Sequence, residues 1–203
     1  QLKGYLAGKG IGSESFREEY VPFGHSNFQT LINELRTFAN QPGGQPIVIL
    51  TTVGNSIPDF FREFINQGIS AFDIPVLNLC DTPGIMVGPE VEKTALVRHA
   101  ARLFLIGCNL SVPYFTVVLR KAYGLGAIGM AGGHFRAPYF TVAWPTGEFG
   151  PMGLEGQVKL GYRAELAAIE DPEKRKQFYE ELVANSYEEG KALSRSRSFA
   201  IDD

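Results

Sequence analysis

Val118-Leu-Arg-Lys-Ala-Tyr-Gly-Leu-Gly-Ala-Ile-Gly-Met130 is the stretch that decides how this chain folds. It continues an apolar, β-branched run over residues 114–119, which predicts a strand that ends abruptly in a glycine-rich turn. The small apolar residues after the turn, 127–131, predict the start of a buried helix. A strand that breaks into glycines and then opens a helix leaves backbone N–H groups free to face an anion or a developing oxyanion. The sequence therefore indicates acyl or carboxyl chemistry performed by backbone donors.

Strands and helices alternate on both sides of this stretch. Apolar runs predict strands at 47–51, 75–80 and 139–144, and helical spacing of apolar residues predicts helices at 28–39, 58–72, 90–106, 153–169 and 172–194. Alternation of this kind gives right-handed crossovers and a mainly parallel sheet with flanking helices. The sequence therefore predicts an α/β fold, and its length suits a single domain over residues 1–203.

The composition is that of a globular protein that binds neither nucleic acid nor membrane. Of the 203 residues, 44% are hydrophobic, and the formal net charge is −3. This charge provides no basic surface, and the longest apolar runs are shorter than a membrane span. No secretory leader is visible, so the expected location is the cytoplasm. Cys80 and Cys108 both lie in apolar segments, which predicts two buried, reduced thiols.

Three motifs follow one another along the second half of the chain. They are Asp73-Ile-Pro-Val-Leu-Asn-Leu-Cys-Asp-Thr-Pro-Gly84, Arg120-Lys-Ala-Tyr-Gly124, and Ala143-Trp-Pro-Thr-Gly-Glu148 followed by Pro151-Met-Gly153. Together they resemble the C-terminal half of the carboxyltransferase (beta) subunit of biotin-dependent acyl-CoA carboxylases. The resemblance implies a crotonase-like (ClpP/crotonase) fold, a β-β-α superhelix. It covers residues 70–203, whereas residues 1–70 are either a diverged part of the same fold or a foreign segment.

The resemblance implies transfer of a carboxyl group from N1 of carboxybiotin to the α-carbon of an acyl-CoA. In this family, N–H groups of a glycine-rich strand-to-helix turn stabilise the negative charge that develops on the ureido oxygen of biotin. At the matching positions of this sequence, the donors are the peptide N–H groups of Leu125 and Gly126, and Tyr123 and Gly124 belong to the same biotin-binding turn. The family usually has two small residues at the donor positions, so Leu125 is a departure. The rival interpretation is that the glycines only permit tight packing of strand and helix.

Further contacts with substrate are expected around the turn. Ile128 falls near the acyl pocket of the family, and its apolar side chain implies tolerance of an apolar acyl tail. Gly84 ends the turn that follows the predicted strand at 75–80, at the edge where α/β sheets place ligands. Asp81 suits a general base or, more commonly, a turn-stabilising side chain. Arg120 and Lys121 suit either the phosphates of coenzyme A or an ion-paired strand end.

The resemblance also implies partners. The sequence has no Met-Lys-Met attachment motif for biotin, so biotin is expected on a biotin carboxyl carrier protein that biotin carboxylase charges. The half that binds the acyl-CoA thioester is expected from another chain, in a homo- or hetero-oligomer. A chain of this length is therefore expected to be catalytically incomplete alone.

Two alternative functions remain open at this stage. One is a non-catalytic crotonase-fold assembly module, and the other is a different acyl-CoA enzyme of the crotonase superfamily, such as a hydratase or hydrolase. The lack of a well-placed glutamate pair argues against the second. The three histidines have no partner motif, which favours structural or surface roles, and no His/Cys spacing fits a metal site.

Overall fold

The computed structural model describes residues 2–22, 25–42, 46–50, 56–68 and 74–203. In these ranges five strands form one sheet: Val48–Leu50 (β1), Val76–Thr82 (β2), Tyr114–Tyr123 (β3), Phe140–Ala143 (β4) and Glu148–Gly150 (β5). The first four are neighbours in chain order, and β5 pairs with the second half of β3. Every pair is parallel, which confirms the predicted mainly parallel sheet.

Helices flank this sheet, as the alternation of apolar patterns predicts. They are Leu2–Gly8 (α1), Gln29–Ala39 (α2), Ser56–Asn66 (α3), Pro89–Glu92 (α4), Leu96–Gly107 (α5), Gly124–Met130 (α6), Leu154–Gly161 (α7), Arg163–Ala168 (α8), Pro172–Gly190 (α9) and Ala192–Arg197 (α10). The longest of them, α9, begins where Asp171 accepts hydrogen bonds from the N–H groups of Glu173 and Lys174, as an N-cap residue does. Within the described ranges, no helix has both the length and the apolar character that crossing a membrane requires.

The core lies on one face of the sheet. Because strand side chains alternate between faces, Val76, Cys80, Tyr114 and Val118 share a side and are all buried. They belong to one hydrophobic cluster with Phe28, the N-cap of α2, and with residues of α2, α3 and α6: Ile32, Ile57, Phe60, Phe61, Phe64, Ala127 and Met130. The buried start of α6 is therefore fixed against β2 and β3, which positions the turn before it.

Three predicted helices are each divided in two. The helix predicted at 90–106 breaks between α4 and α5 because Ala95 is left-handed, with φ 57°. The helix predicted at 153–169 breaks at Tyr162, and the one predicted at 172–194 ends at Gly190, after which Lys191 is extended. A steady apolar period does not reveal such breaks, since it is the same on either side of them.

Other sequence-based boundaries also differ from the structure. Strand β3 runs on to Tyr123, four residues beyond its predicted end, and β5 follows β4 where no strand was predicted. The predicted strand end at Thr51, the predicted helix end at Phe72 and the first motif residue, Asp73, lie outside the described residues.

The two cysteines differ, which corrects the prediction that both are buried. Cys80 is buried on β2, but Cys108 is exposed because it follows the last residue of α5, at the end of the apolar run. Both are free thiols. Burial, with a smaller contribution from the charge of Asp81, raises the pKa of Cys80 to about 12.

We expect a thiol reagent to distinguish these two residues. The thiolate is the reactive form, and Cys80 is both inaccessible and protonated at pH 8. Ellman's reagent at pH 8 should therefore titrate only Cys108 in the folded protein and both thiols after denaturation in urea. The Cys108→Ser variant is the control, and rapid labelling of this folded variant would contradict the burial of Cys80.

Candidate functional site

The candidate site is the turn that joins β3 to α6. Tyr123 is the last residue of β3 and the N-cap of α6, and Gly124 takes the left-handed backbone that favours glycine, with φ 57°. The first N–H groups of a helix have no acceptor within it. Leu125 and Gly126 occupy these positions, and in the described part of the chain neither N–H donates to a backbone group outside α6. The turn therefore offers two adjacent backbone donors.

The turn Asp81-Thr-Pro-Gly84 lies directly against these donors. A Cβ placed on Gly126 would lie 2.8 Å from the carbonyl carbon of Gly84, and one placed on Gly84 would lie 3.3 Å from the carbonyl oxygen of Tyr123. Thr82 closes this turn, because its hydroxyl oxygen accepts the N–H of Gly84 at 3.2 Å. The missing side chain of Gly126 is thus filled by protein backbone, which is the tight packing that the rival interpretation expects. This packing does not involve the backbone N–H of Gly126, and the role of that N–H as a donor stays a prediction.

The side chain of Asp81, in β2, contacts two residues of β3 close to the turn. Its Oδ1 accepts the N–H of Lys121 at 3.1 Å, and its Oδ2 pairs with Nη2 of Arg120 at 3.1 Å. The register of the two strands shifts between Cys80 and Thr82, so the Asp81 side chain supplies an acceptor where the regular pairing is interrupted. These contacts support the ion-paired strand end for Arg120, and they occupy the carboxylate of Asp81.

The third motif reaches the turn from the opposite side. A Cβ on Gly124 would lie 2.6 Å from the carbonyl oxygen of Pro151, and the Tyr123 hydroxyl donates to Oε2 of Glu148 at 2.8 Å. All three motifs therefore meet at residues 123–126, although they are far apart in the sequence. The structure brings Gly84 together with residues 123–126, so five of the six predicted site residues lie in one place.

Ile128 and the histidines lie outside this tight cluster of backbone contacts. Ile128 is half-buried on α6, one turn beyond the donors, and its proposed contact with an acyl tail stays a prediction. His134 is exposed, and its Nδ1 accepts the N–H of Arg136 at 3.1 Å. In the described ranges there is no group of three or more His, Cys, Asp or Glu residues that is arranged to hold a metal ion.

Three apolar side chains on the segments that meet at the turn are exposed to solvent. Met86 is 68% exposed, Leu125 is 60% exposed and Met152 is 39% exposed. Met86 follows Gly84 by two residues and Met152 follows Pro151, so the backbone contacts described above bring their segments to the turn. We call these three side chains the apolar rim. Exposed apolar groups clustered around polar donors are typical of a surface that a ligand or a partner covers.

Sequence reasoning missed two hydrogen-bonded Tyr–Glu pairs below the turn. Tyr123 pairs with Glu148, and the Tyr187 hydroxyl donates to Oε1 of Glu155 at 2.7 Å. In the sequence, Glu148 stands out only as the last residue of the motif that begins at Ala143. Tyr187 lies on α9, 64 residues from Tyr123, and nothing in its local pattern signals a partner on α7.

Two family models match the chain. The model described as "Carboxyl transferase domain" matches residues 62–195, and the model described as "Periplasmic binding protein domain" matches residues 2–113. Their overlap contains β2, which pairs in register with β3 from Val76 to Cys80, and β3 lies in the first match alone. The sheet edge that forms the candidate site therefore falls under the carboxyl transferase model.

Known relatives and solved structures agree with this assignment. A propionyl-CoA carboxylase carboxyltransferase subunit from Haloferax mediterranei is 40% identical over 121 residues, 58% of this chain. The chain spans only 23% of the length of that subunit. A single-chain, multi-domain long-chain acyl-CoA carboxylase is 49% identical with a TM-score of 0.59, over 73% of this chain and 14% of that one.

A second solved structure extends the comparison to an assembled enzyme. It is transcarboxylase 12S, solved as a hexamer with methylmalonyl-CoA and methylmalonic acid bound, and it has a TM-score of 0.62 and 27% identity. The match covers 73% of this chain and 27% of that chain. These likenesses confirm the expected crotonase-like α/β fold. With a family model over residues 62–195 and three of its motifs meeting at one turn, this chain belongs to the carboxyl transferase domain family.

Proposed function

We propose that this chain is the carboxybiotin-binding half of a biotin-dependent acyl-CoA carboxyltransferase. One observation supports the proposal most directly: the three motifs of the resemblance converge on two adjacent peptide N–H groups, those of Leu125 and Gly126. When bound, carboxybiotin supplies the carboxyl group that is transferred to the α-carbon of an acyl-CoA. The residues of this chain then have to bind the ureido group, stabilise charge on its oxygen and exclude water.

Backbone donors suit this task. Negative charge develops on the ureido oxygen as the carboxyl group leaves, and preorganised N–H groups in a site shielded from water stabilise such charge without reorganising. The backbones of Gly84 and Pro151 pack closely against Gly126 and Gly124, which restricts movement of the turn that carries the donors. The resemblance and the geometry of the turn both fit a ureido oxygen as the acceptor.

The substrate is proposed to be an acyl-CoA thioester with an apolar acyl group. Ile128 supports this choice, because an apolar side chain one turn beyond the donors suits a hydrocarbon tail better than a charged one. The relatives named above act on or bind propionyl-CoA, long-chain acyl-CoA and methylmalonyl-CoA, by their names. Gly84 would then lie between the two substrates.

The partners proposed are an acyl-CoA-binding carboxyltransferase half, a biotin carboxyl carrier protein and a biotin carboxylase, acting together in the cytoplasm. The apolar rim supports a covering partner, since Met86, Leu125 and Met152 are exposed on the segments that meet at the turn. A homo- or hetero-oligomer in which the rim meets the acyl-CoA-binding half would shield the reaction from water.

Decarboxylation of malonyl-CoA that depends on free biotin or biocytin tests this proposal, because it runs the transfer in reverse. The assay is performed with this chain alone, with a separately produced acyl-CoA-binding half alone, and with the two mixed. Activity that requires the mixture and biotin is expected. Activity of this chain alone would show that it builds both pockets. Folded protein without activity in any arm would overturn the proposal and favour a non-catalytic assembly module.

A further inference from the structure

Two Tyr–Glu hydrogen bonds lie close to each other near the turn, and only one of them involves a residue of the turn. Tyr123 donates to Glu148 at 2.8 Å, and Tyr187 donates to Glu155 at 2.7 Å. The ring of Tyr123 is 3% exposed, whereas the Tyr187 ring is half-buried on α9. Tyr123 directly precedes Gly124 and the two donors, so whatever fixes its side chain also fixes the start of the turn.

Glu148 is itself held firmly. It lies on β5, in parallel register with Lys121 of β3, and forms an isolated antiparallel bridge with Lys191. The carbonyl oxygen of its neighbour Gly147 accepts the N–H of Ala192 at 2.9 Å. Strand β5 is therefore fixed between β3 and the junction of α9 with α10, so the backbone that carries the Glu148 carboxylate is held in place.

The chemistry of this pair favours a lasting hydrogen bond. Burial, followed by the hydrogen bond to Glu148, raises the pKa of the Tyr123 hydroxyl above its ordinary value. The hydrogen bond to Glu155 raises the pKa of Tyr187 to about 12. Both phenols therefore remain protonated donors at neutral pH. A hydrogen bond to a charged acceptor is shorter and stronger than one between neutral groups.

We propose that Glu148 is a positioning residue: through the hydroxyl of Tyr123 it sets the direction of the Leu125 and Gly126 N–H groups. The inference rests on the proposed function for its consequence in catalysis, because those donors matter only if they meet the ureido oxygen. Its geometric content is independent of that function. Without the acceptor, the buried hydroxyl of Tyr123 is left unpaired, and the side chain that leads into the turn has to find another arrangement.

Matched substitutions separate positioning from general support of the fold. Tyr123→Phe and Glu148→Ala remove the donor and the acceptor, while Glu148→Gln keeps an amide oxygen that accepts the same proton. Tyr187→Phe is the control, because it removes one hydroxyl from the neighbouring Tyr–Glu bond, which includes no residue of the turn. Each variant is examined by amide NMR of the full chain and, mixed with the acyl-CoA-binding half, by biotin-dependent decarboxylation.

Tyr123→Phe and Glu148→Ala are expected to shift the Leu125 and Gly126 amide resonances. They should also lower kcat by about tenfold or more, since a misplacement of 1 Å can cost roughly 10²-fold, with little change in KM for malonyl-CoA. Glu148→Gln should restore much of both signals, and Tyr187→Phe should move neither. Unchanged resonances in Tyr123→Phe, or equal effects in Tyr187→Phe, would overturn the positioning role. An inactive parent protein would instead contradict the proposed function, and the NMR comparison would still decide this inference.

Discussion

Proline in place of Leu125 is expected to lower the kcat of biotin-dependent transfer by about 10²–10³-fold, the usual cost of removing one oxyanion-hole donor. Proline lacks the backbone N–H, so the substitution deletes the proposed donor itself. Position 125 lies in the first turn of α6, where proline is tolerated because no hydrogen bond within the helix is lost. The measurement is steady-state decarboxylation of malonyl-CoA at varied biocytin concentration.

Leu125→Ala is the matched comparison, because it shortens the same exposed side chain and keeps the N–H. The ratio of kcat between the two variants separates the loss of the N–H from the loss of the leucine side chain. A thermal melt of Leu125→Pro within a few degrees of the parent would show that the fold has survived. If the folded proline variant turned over as fast as the alanine variant, the assignment of Leu125 as a donor would have to be abandoned.

The main features of the fold can be predicted from the sequence, because they follow from the spacing of apolar residues and from the positions of glycines. The apolar run at 114–119 and the glycines that follow it predict β3, a sharp turn and then a helix, and the structure confirms this order, although β3 ends four residues later and α6 begins three residues earlier than predicted. The position of β5 could not be predicted from the sequence. It has only three residues, and it forms by pairing with Lys121, Ala122 and Tyr123 of β3, which lie in a separate part of the chain.

The candidate site likewise has a part that the sequence predicts and a part that it does not. Motif spacing identified Gly84 and residues 123–126, which meet in the structure. What fills the space at each glycine was not predictable, since Gly126 faces the backbone of Gly84 and not an open cleft. The pairing of Tyr123 with Glu148 likewise depends on how β5 joins β3, a long-range contact with no local signature.

Alanine in place of Phe61 is expected to lower the free energy of unfolding of the whole chain by about 3–5 kcal/mol, the usual cost of emptying a buried phenylalanine site. Phe61 lies on α3, is 2% exposed, and contacts Tyr114 of β3 with 5.8 Å between ring centroids. We propose from this contact that residues 1–203 form a single domain. The first 70 residues would then stabilise the sheet that bears the candidate site.

The single tryptophan makes this proposal testable. Trp144 follows β4, and its backbone N–H donates to the carbonyl oxygen of Val118 at 2.9 Å, so its fluorescence reports on the sheet and not on α3. In urea, Phe61→Ala should shift the Trp144 transition and the loss of helical circular dichroism together to lower concentrations. Phe199→Ala is the control, because that side chain is 73% exposed and its removal leaves no cavity. A Trp144 transition that stayed at the parent midpoint while the helical signal melted earlier would show that α3 unfolds independently, which would favour a foreign segment joined near residue 70.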